Sequence, residues 1–401
     1  MVQFLSSVLH HYLLFPSFKS ALNITVFTAR KREKKMMGFS ESPWLVALLL
    51  MVSIVQCVNV ALGSQQVPAM HVFGDSVVDV GNNNYLNSYA KCNYPPYGID
   101  YPGGPSGRFS NGKNIADMLG DLLGLPSPPA YADPSTTGAK ILGGVNYASA
   151  AAGILDETGQ HYGERYSLSQ QVLNFEDTLN QLRTLLPGTS LSHYLARSIA
   201  VVVIGSNDYI NNYLLPPMYS SSYSYTPPQF ANLLLNRYAR QILALNSVGL
   251  RKFFLAGIPP LGCIPNQRAT GQAPQDRCVD SVNQMLGTFN EGLRSLVQQL
   301  NSNHPGSIFV YGNTYSTLGD ILNNPATFGF SVVDRACCGI GKNQGEITCT
   351  PLIAPCTDRN QHVFWDAYHL TQAATSVLAQ RAFYGPPSDS YPINIQQLAQ
   401  L

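Results

Sequence analysis
Ser198-Ile199-Ala200-Val201-Val202-Val203-Ile204, followed at once by Gly205-Ser206-Asn207-Asp208, decides how this chain is read. The run is apolar and rich in β-branched residues. It does not alternate with polar residues and it stops at a glycine. Such a run suits a strand buried on both faces, as in a parallel sheet covered by helices on either side. Four further short apolar runs read the same way: His71–Phe73, Ile141–Ala148, Lys252–Ala256 and Ile308–Tyr311. Between them lie longer stretches with apolar residues at helical spacing: Asn111–Leu123, Ser167–Leu186, Pro227–Val248 and Val279–Leu300. The third begins on Pro-Pro and ends before Gly249, the expected order of start and stop. Strand and helix in alternation predict a doubly wound α/β domain. In such folds reactive groups gather just beyond the carboxyl ends of the strands.

Three polar segments stand at those positions. Gly74-Asp75-Ser76 follows the first strand, Gly205–Asp208 follows the Val-rich strand, and Asp366-Ala367-Tyr368-His369 follows Val363-Phe364-Trp365. Each has an ordinary structural reading: a Gly-Asp-Ser turn, a polar strand end, and an Asp capping a helix that begins near His369. Each also has a chemical one. A serine hydroxyl at a sheet edge is a nucleophile when a neutral imidazole takes its proton. An Asp three residues before that His reaches the ring, fixes its tautomer and stabilises the imidazolium. An Asn amide at the third strand end donates to a developing oxyanion. Converging on one edge, the chemical readings reinforce one another. The segment is not the G-x-S-x-G elbow of the α/β-hydrolases.

At this level the chain resembles the plant branch of the GDSL esterase/lipase family, within the SGNH hydrolases, from about Met70 to Gly385. The resemblance rests on Phe73–Asn84 (FGDSVVDVGNNN), Gly144–Ile154 (GVNYASAAAGI), Gly205–Asp208 and Asp366–His369, with Pro260–Cys263 and Cys337-Cys338-Gly339 in support. It implies a three-layer α/β/α, flavodoxin-like fold with a central parallel sheet of about five strands. It further implies Ser76 as nucleophile, His369 as general base and then acid, and Asp366 as its orienting carboxylate. The oxyanion hole would use the Ser76 N–H, the Asn207 side chain and the backbone N–H of Ala151. The family has Gly where this chain has Ala151, and the donor is expected to survive through a negative φ. Val77 stands where the family name has Leu. As substrates the resemblance implies acyl lipids, cutin-like polymers or acetylated sugars. An acyltransferase working through the same acyl-enzyme is a second reading. A non-catalytic binding protein is a third, opposed by the presence of Ser76, Asn207, Asp366 and His369.

The remaining candidates are weaker. Asp75 is expected to brace the nucleophile turn. Asp79 and Asn82–Asn84 either line the site or, preferably, hold local structure. Tyr209–Tyr213 and Met218–Tyr225 read as polar-aromatic loops, either contacting substrate or simply mobile surface. No H-E-x-x-H, P-loop or dinucleotide fingerprint occurs, so no metal or nucleotide cofactor is implied.

Of 401 residues, 45% are hydrophobic and 12% charged, a globular composition. Residues 1–63 carry six of the 24 Lys and Arg and two of the 23 Asp and Glu, leaving 18 against 21 over the remainder. No basic face for nucleic acid follows. The basic cluster Arg30–Lys35, the apolar run Trp44–Val55 and the small residues Ala61 and Gly63 predict a cleaved signal peptide. The run is short for a membrane span, which needs about 20 apolar residues. An ordinary signal peptide would begin near Met36 or Met37, so residues 1–35 read as an extension or a second address. The expected organisation is thus 1–63 as leader and 64–401 as one domain, secreted to the apoplast or cell wall. The sole glycosylation sequon, Asn23-Ile24-Thr25, lies upstream of the apolar run. With Cys57 in the leader, seven cysteines remain, which in an oxidising compartment gives up to three disulfides. Cys263 and Cys278 close a short loop; Cys337, Cys338, Cys349 and Cys356 cluster; Cys92 is left over. Free buried thiols are the alternative, and no paired C-x-x-C spacing suggests zinc.

Overall fold
Four of the five apolar runs form parallel strands: β1 (Met70–Gly74), β2 (Ile199–Val203), β3 (Lys252–Ala256) and β4 (Ile308–Gly312), hydrogen-bonded in that order. The computed structural model describes residues 66–272 and 278–401. The leader, Cys57 and the Asn23 sequon lie outside the described residues. The fifth strand of the sheet is one the sequence does not announce. Ser390–Tyr391 is a two-residue edge strand, antiparallel to β4, with Gly312 opposite Ser390.

The predicted strand Ile141–Ala148 is not a strand. Gly138–Gly143 is a 3-10 helix, and beyond it only Asn146 makes bridges, to Val72 and to Ala130. The segment nevertheless runs along the free edge of β1. Val72 N–H donates to Val145 O (3.0 Å), Tyr147 N–H to Val72 O (2.8 Å) and Ser149 N–H to Gly74 O (3.0 Å). Regular pairing fails at Gly144, which adopts φ +105° against β1. A Cβ there would lie 1.9 Å from the Met70 carbonyl oxygen. Only glycine accepts both that φ and that approach.

Side chains alternate across the strands. Phe73, Val202, Phe253, Leu255 and Phe309 face one layer, packed against helices Leu168–Leu185, Pro227–Ser247 and Asp280–Asn303. Met70, Val72, Val201, Phe254 and Val310 face the other, packed against Ile115–Leu123, Thr314–Asn323 and Gln372–Tyr384. The predicted helix from Asn111 starts four residues later. Asn114 caps it, its side chain accepting from the Ala116 and Asp117 amides while Asp117 reaches back to the Asn114 amide. Among the described residues, no helix is long and apolar enough to cross a membrane.

Disulfides link Cys263–Cys278, Cys337–Cys356 and Cys338–Cys349, and Cys92 is a buried free thiol. The adjacent pair positions the site. Cys337 N–H donates to Phe364 O (3.0 Å) and Cys338 N–H to Trp365 O (2.7 Å). The stapled loop thereby holds the strand His362–Phe364 that delivers Asp366.

Candidate active site
Ser76 stands two residues beyond β1, at the carboxyl edge of the sheet. Asp75 N–H donates to Val203 O (3.1 Å), and the Asp75 carbonyl accepts from Val78 (3.2 Å) and Asp79 (3.0 Å), so the chain winds tightly out of the strand. Gly74 permits this close approach; a Cβ there would lie 2.4 Å from Val203 O. The Gly74 peptide group is clamped from the next layer by fully buried Gln171. Its Oε1 accepts from Gly74 N–H (2.8 Å) and its Nε2 donates to Gly74 O (2.8 Å).

His369 comes to Ser76 across 293 residues of sequence, its Nε2 lying 2.7 Å from Ser76 Oγ. Its Nδ1 lies 2.8 and 2.9 Å from the two carboxylate oxygens of Asp366. Asp366 is fully buried and also accepts from the backbone amides of Tyr368 (2.8 Å) and His369 (2.7 Å) and from Tyr97 Oη (2.7 Å). Burial alone would raise its pKa. The facing His369 and these hydrogen bonds more than offset that and hold the carboxyl below its usual range. An ionised carboxylate can only accept, so Nδ1 carries the proton and the Nε2 lone pair faces the serine hydroxyl. The Phe109 ring stacks at a tilt 4.9 Å from the imidazole.

Asn207 and Ala151 face the same cavity as Ser76 and His369. Gly205, at φ +122°, turns the chain out of β2 so that Asn207 follows at the sheet edge. Asn207 Oδ1 accepts from Asn211 Nδ2 (2.7 Å), and its Nδ2 donates to Ala152 O (2.9 Å). A primary amide has two N–H bonds, so one remains for a ligand. The backbone N–H groups of Ser76 and Ala151 donate to no protein acceptor among the described residues.

The expectation of a negative φ at Ala151 is wrong: φ is +65°. Ala151 is the third residue of a turn closed by Ala152 N–H to Ser149 O (3.1 Å). A type II turn demands positive φ at that position, which explains why glycine would suit it. Gly159 packs closely against this turn; a Cβ on Gly159 would meet Ala151 O at 2.0 Å.

Several positioning residues were not singled out from the sequence, or were only weakly read. Tyr97 was missed altogether. So was the role of Asp208, whose buried carboxylate accepts from the Ile154 and Leu155 amides (2.8 and 3.0 Å) and from Thr158 Oγ1 (2.8 Å), tying the Ala151 turn to the end of β2. Asp79 accepts from Gly81 and Asn82 (both 2.7 Å) and Ala150 (3.1 Å). Asn82 and Asn83 bridge to the carbonyls of Asn146, Ala148 and Ala150, so the Asn run is structural. Asp75 braces its turn as expected, its Oδ1 accepting from Val77 N–H (3.0 Å). Burial raises Asp75 to about 7 and Asp79 and Asp208 to about 6, each against the pull of its amide donors. Tyr209–Tyr213 is not a surface loop. It is helical, with Tyr209 in the core, and only Ile210 and Asn211 reach the cavity. Met218 and Tyr223 are exposed and lie outside the cavity wall.

An α/β/α domain with this strand-end constellation defines an ester hydrolase of the SGNH type. The chain belongs to the GDSL-like lipase/acylhydrolase family, whose model matches residues 70–382. It is 62% identical over 375 residues to the Arabidopsis thaliana protein named GDSL esterase/lipase At1g71250, covering 93% of this chain and 99% of that one. It is 55% identical over 338 residues to GDSL esterase/lipase At5g08460 of the same plant, covering 83% and 88%.

Proposed function
We propose that this chain is a secreted serine hydrolase that cleaves carboxylic esters through an acyl-enzyme on Ser76. The observation that carries the reading is the unbroken relay from Ser76 Oγ through both nitrogens of His369 to buried Asp366. In the first step His369 Nε2 takes the hydroxyl proton as Ser76 Oγ bonds to the ester carbonyl carbon. The carbonyl oxygen becomes an oxyanion within reach of the Ser76 and Ala151 N–H groups and the spare Asn207 N–H. The C–O bond to the alcohol breaks, and the alcohol leaves with the proton from His369. Water then repeats the sequence on the acyl-enzyme, releasing acid and restoring Ser76. Asp366 keeps its negative charge throughout and orients the imidazole. The relatives' names, esterase/lipase, agree with this chemistry. Three disulfides in the described residues support an oxidising, extracellular destination.

The test expresses the chain from Ser64, with and without Ser76→Ala, and assays p-nitrophenyl esters of graded acyl length. Activity is expected to vanish in the variant while its melting temperature holds. Equal turnover by the two proteins refutes the assignment of Ser76.

A further inference from the structure
The cavity at Ser76, about 220 Å³, does not end at the catalytic groups. Its inner part runs across the carboxyl end of the sheet, on the face covered by helices Ile115–Leu123, Thr314–Asn323 and Gln372–Tyr384. Ile115, Leu119, Val203, Phe254, Leu318 and Leu378 supply hydrocarbon walls. Val203, Ala256 and Gly312 lie on three successive strands, β2, β3 and β4. The passage therefore crosses the sheet strand by strand, away from β1. Small residues keep it open. Ala256 and Ala382 present only methyl groups, and Gly312 leaves room for the Phe254 ring to lie back against β4, where a Cβ would meet its Cζ at 2.3 Å. At the far end stands Asp389, its carboxylate held by Arg381 through two contacts of 2.6 and 2.9 Å. The outer mouth is different in kind: Tyr89, Lys91, Tyr94, Tyr162 and Tyr368 give it polar tips.

Protein interiors are close-packed. A passage leading from a nucleophile into the core leaves its wall atoms without contact partners, and apolar cavities of this sort accept apolar guests rather than water. We propose that the passage is the acyl pocket, holding an unbranched chain of roughly 11–15 carbons with its carbonyl at Ser76 and its methyl end toward Ala382 and Asp389. The length follows from the crossing. Three to four inter-strand steps of about 4.8 Å span roughly 14–19 Å. A zigzag chain of ~1.5 Å bonds near 111° advances ~1.25 Å per carbon. The polar mouth takes the alcohol part, which keeps its hydration, and the Arg381–Asp389 pair stops the chain because burying a methyl group there would desolvate an ion pair. This assignment rests on Ser76 as nucleophile for its orientation, but the passage itself does not.

Two arms separate the two ideas. In the first, the Ser76→Ala protein is titrated calorimetrically with fatty acid salts of 4 to 18 carbons below their micelle concentrations. Affinity is expected to rise about fourfold per added methylene and to level off between roughly 11 and 15 carbons. In the second, hydrolysis of butanoyl, dodecanoyl and octadecanoyl p-nitrophenyl esters is compared for wild type, Ala382→Leu and Leu378→Ala. Ala382→Leu is expected to lower kcat/KM on the dodecanoyl ester at least tenfold and leave the butanoyl ester unchanged. Leu378→Ala is expected to move the plateau to longer chains. Retained butanoyl turnover shows that either variant is folded. Binding that stops growing at four carbons, or chain-length profiles identical in all three proteins, overturns the acyl pocket while leaving Ser76 untouched. Ser76-independent turnover together with length-dependent binding overturns only the nucleophile.

Discussion
Replacing Tyr97 by Phe removes one oxygen and keeps the ring, which contacts Tyr94, Phe109 and Trp365 edge-on at 5.4–6.1 Å. The lost hydroxyl donates to Asp366 Oδ2 at 2.7 Å in a fully buried setting. A hydrogen bond to a charged group contributes about 1.5–3 kcal/mol. Asp366 retains His369 and two backbone amides, so the carboxylate stays ionised and the imidazole keeps its orientation. If half the lost energy is felt as the imidazolium forms, about 0.75–1.5 kcal/mol, kcat falls about 3.5- to 12-fold. KM should change less than about twofold, because the ring facing the cavity is unchanged. The melting temperature should drop by about 2–4 °C. Asp366→Asn, which forces the wrong tautomer, should cost about 10⁴-fold. Steady-state kinetics on a short acyl ester, with calorimetric melting, read all of these. Tyr94→Phe is the control, since Tyr94 Oη donates to Cys349 O at 3.1 Å and not to Asp366. If Tyr97→Phe melts early yet keeps its kcat within twofold, or if Tyr94→Phe loses as much, Tyr97 is packing and the argument for a positioning role fails.

Two further outcomes follow from the same geometry. Ala151→Gly removes the left-handed penalty of about 1–2 kcal/mol, partly offset by about 0.5–1 kcal/mol of added freedom in the unfolded chain. The net gain of up to about 1.5 kcal/mol should raise the melting temperature by up to about 2 °C and leave kcat within twofold, since a backbone N–H is unchanged by the substitution; a lower melting temperature contradicts the strain. Asp75, raised to about 7 when folded against 3.8 ordinarily, keeps its proton in the native state. It therefore favours folding below about pH 4, and that contribution is lost as pH rises toward 7. Unfolding free energies of wild type and Asp75→Asn from urea titrations should diverge across that window, by up to about 4 kcal/mol, and a pH-independent difference would exclude a protonated Asp75.

Much of the architecture was legible because burial on both faces leaves a local mark. Ser198–Ile204 and Lys252–Ala256 have no polar face to show, so each reads as a covered strand, and β2 and β3 form where those runs lie. Ile141–Ala148 carries the same mark but is not a strand, because its partner across Gly144 approaches too closely for a regular ladder. The edge strand Ser390–Tyr391 escaped notice because two residues carry no period. Tyr209–Tyr213 looked polar in sequence, yet its tyrosines point into the core.

Within the site, Ser76, Asn207, Asp366 and His369 could be picked out because each follows an apolar run. The main sheet sends the ends of β1 and β2 to one edge, whereas His362–Phe364, the strand before Asp366, pairs with Val332–Ala336 in a separate two-stranded sheet, and packing brings its end to the same place. The backbone conformation of Ala151 could not, since a positive φ is imposed by the turn closed between Ser149 and Ala152 rather than by the residue. Nor could Tyr97, whose single bond to Asp366 spans 269 positions. The sequence by itself determined the chemistry available: one hydroxyl, one imidazole, one carboxylate and one amide at strand ends. Only the tertiary structure decided their distances, the proton's place on His369, and the hydrocarbon passage behind Ser76. Those depend on which faces of distant helices meet across the sheet, and periodicity within a segment carries no information about that.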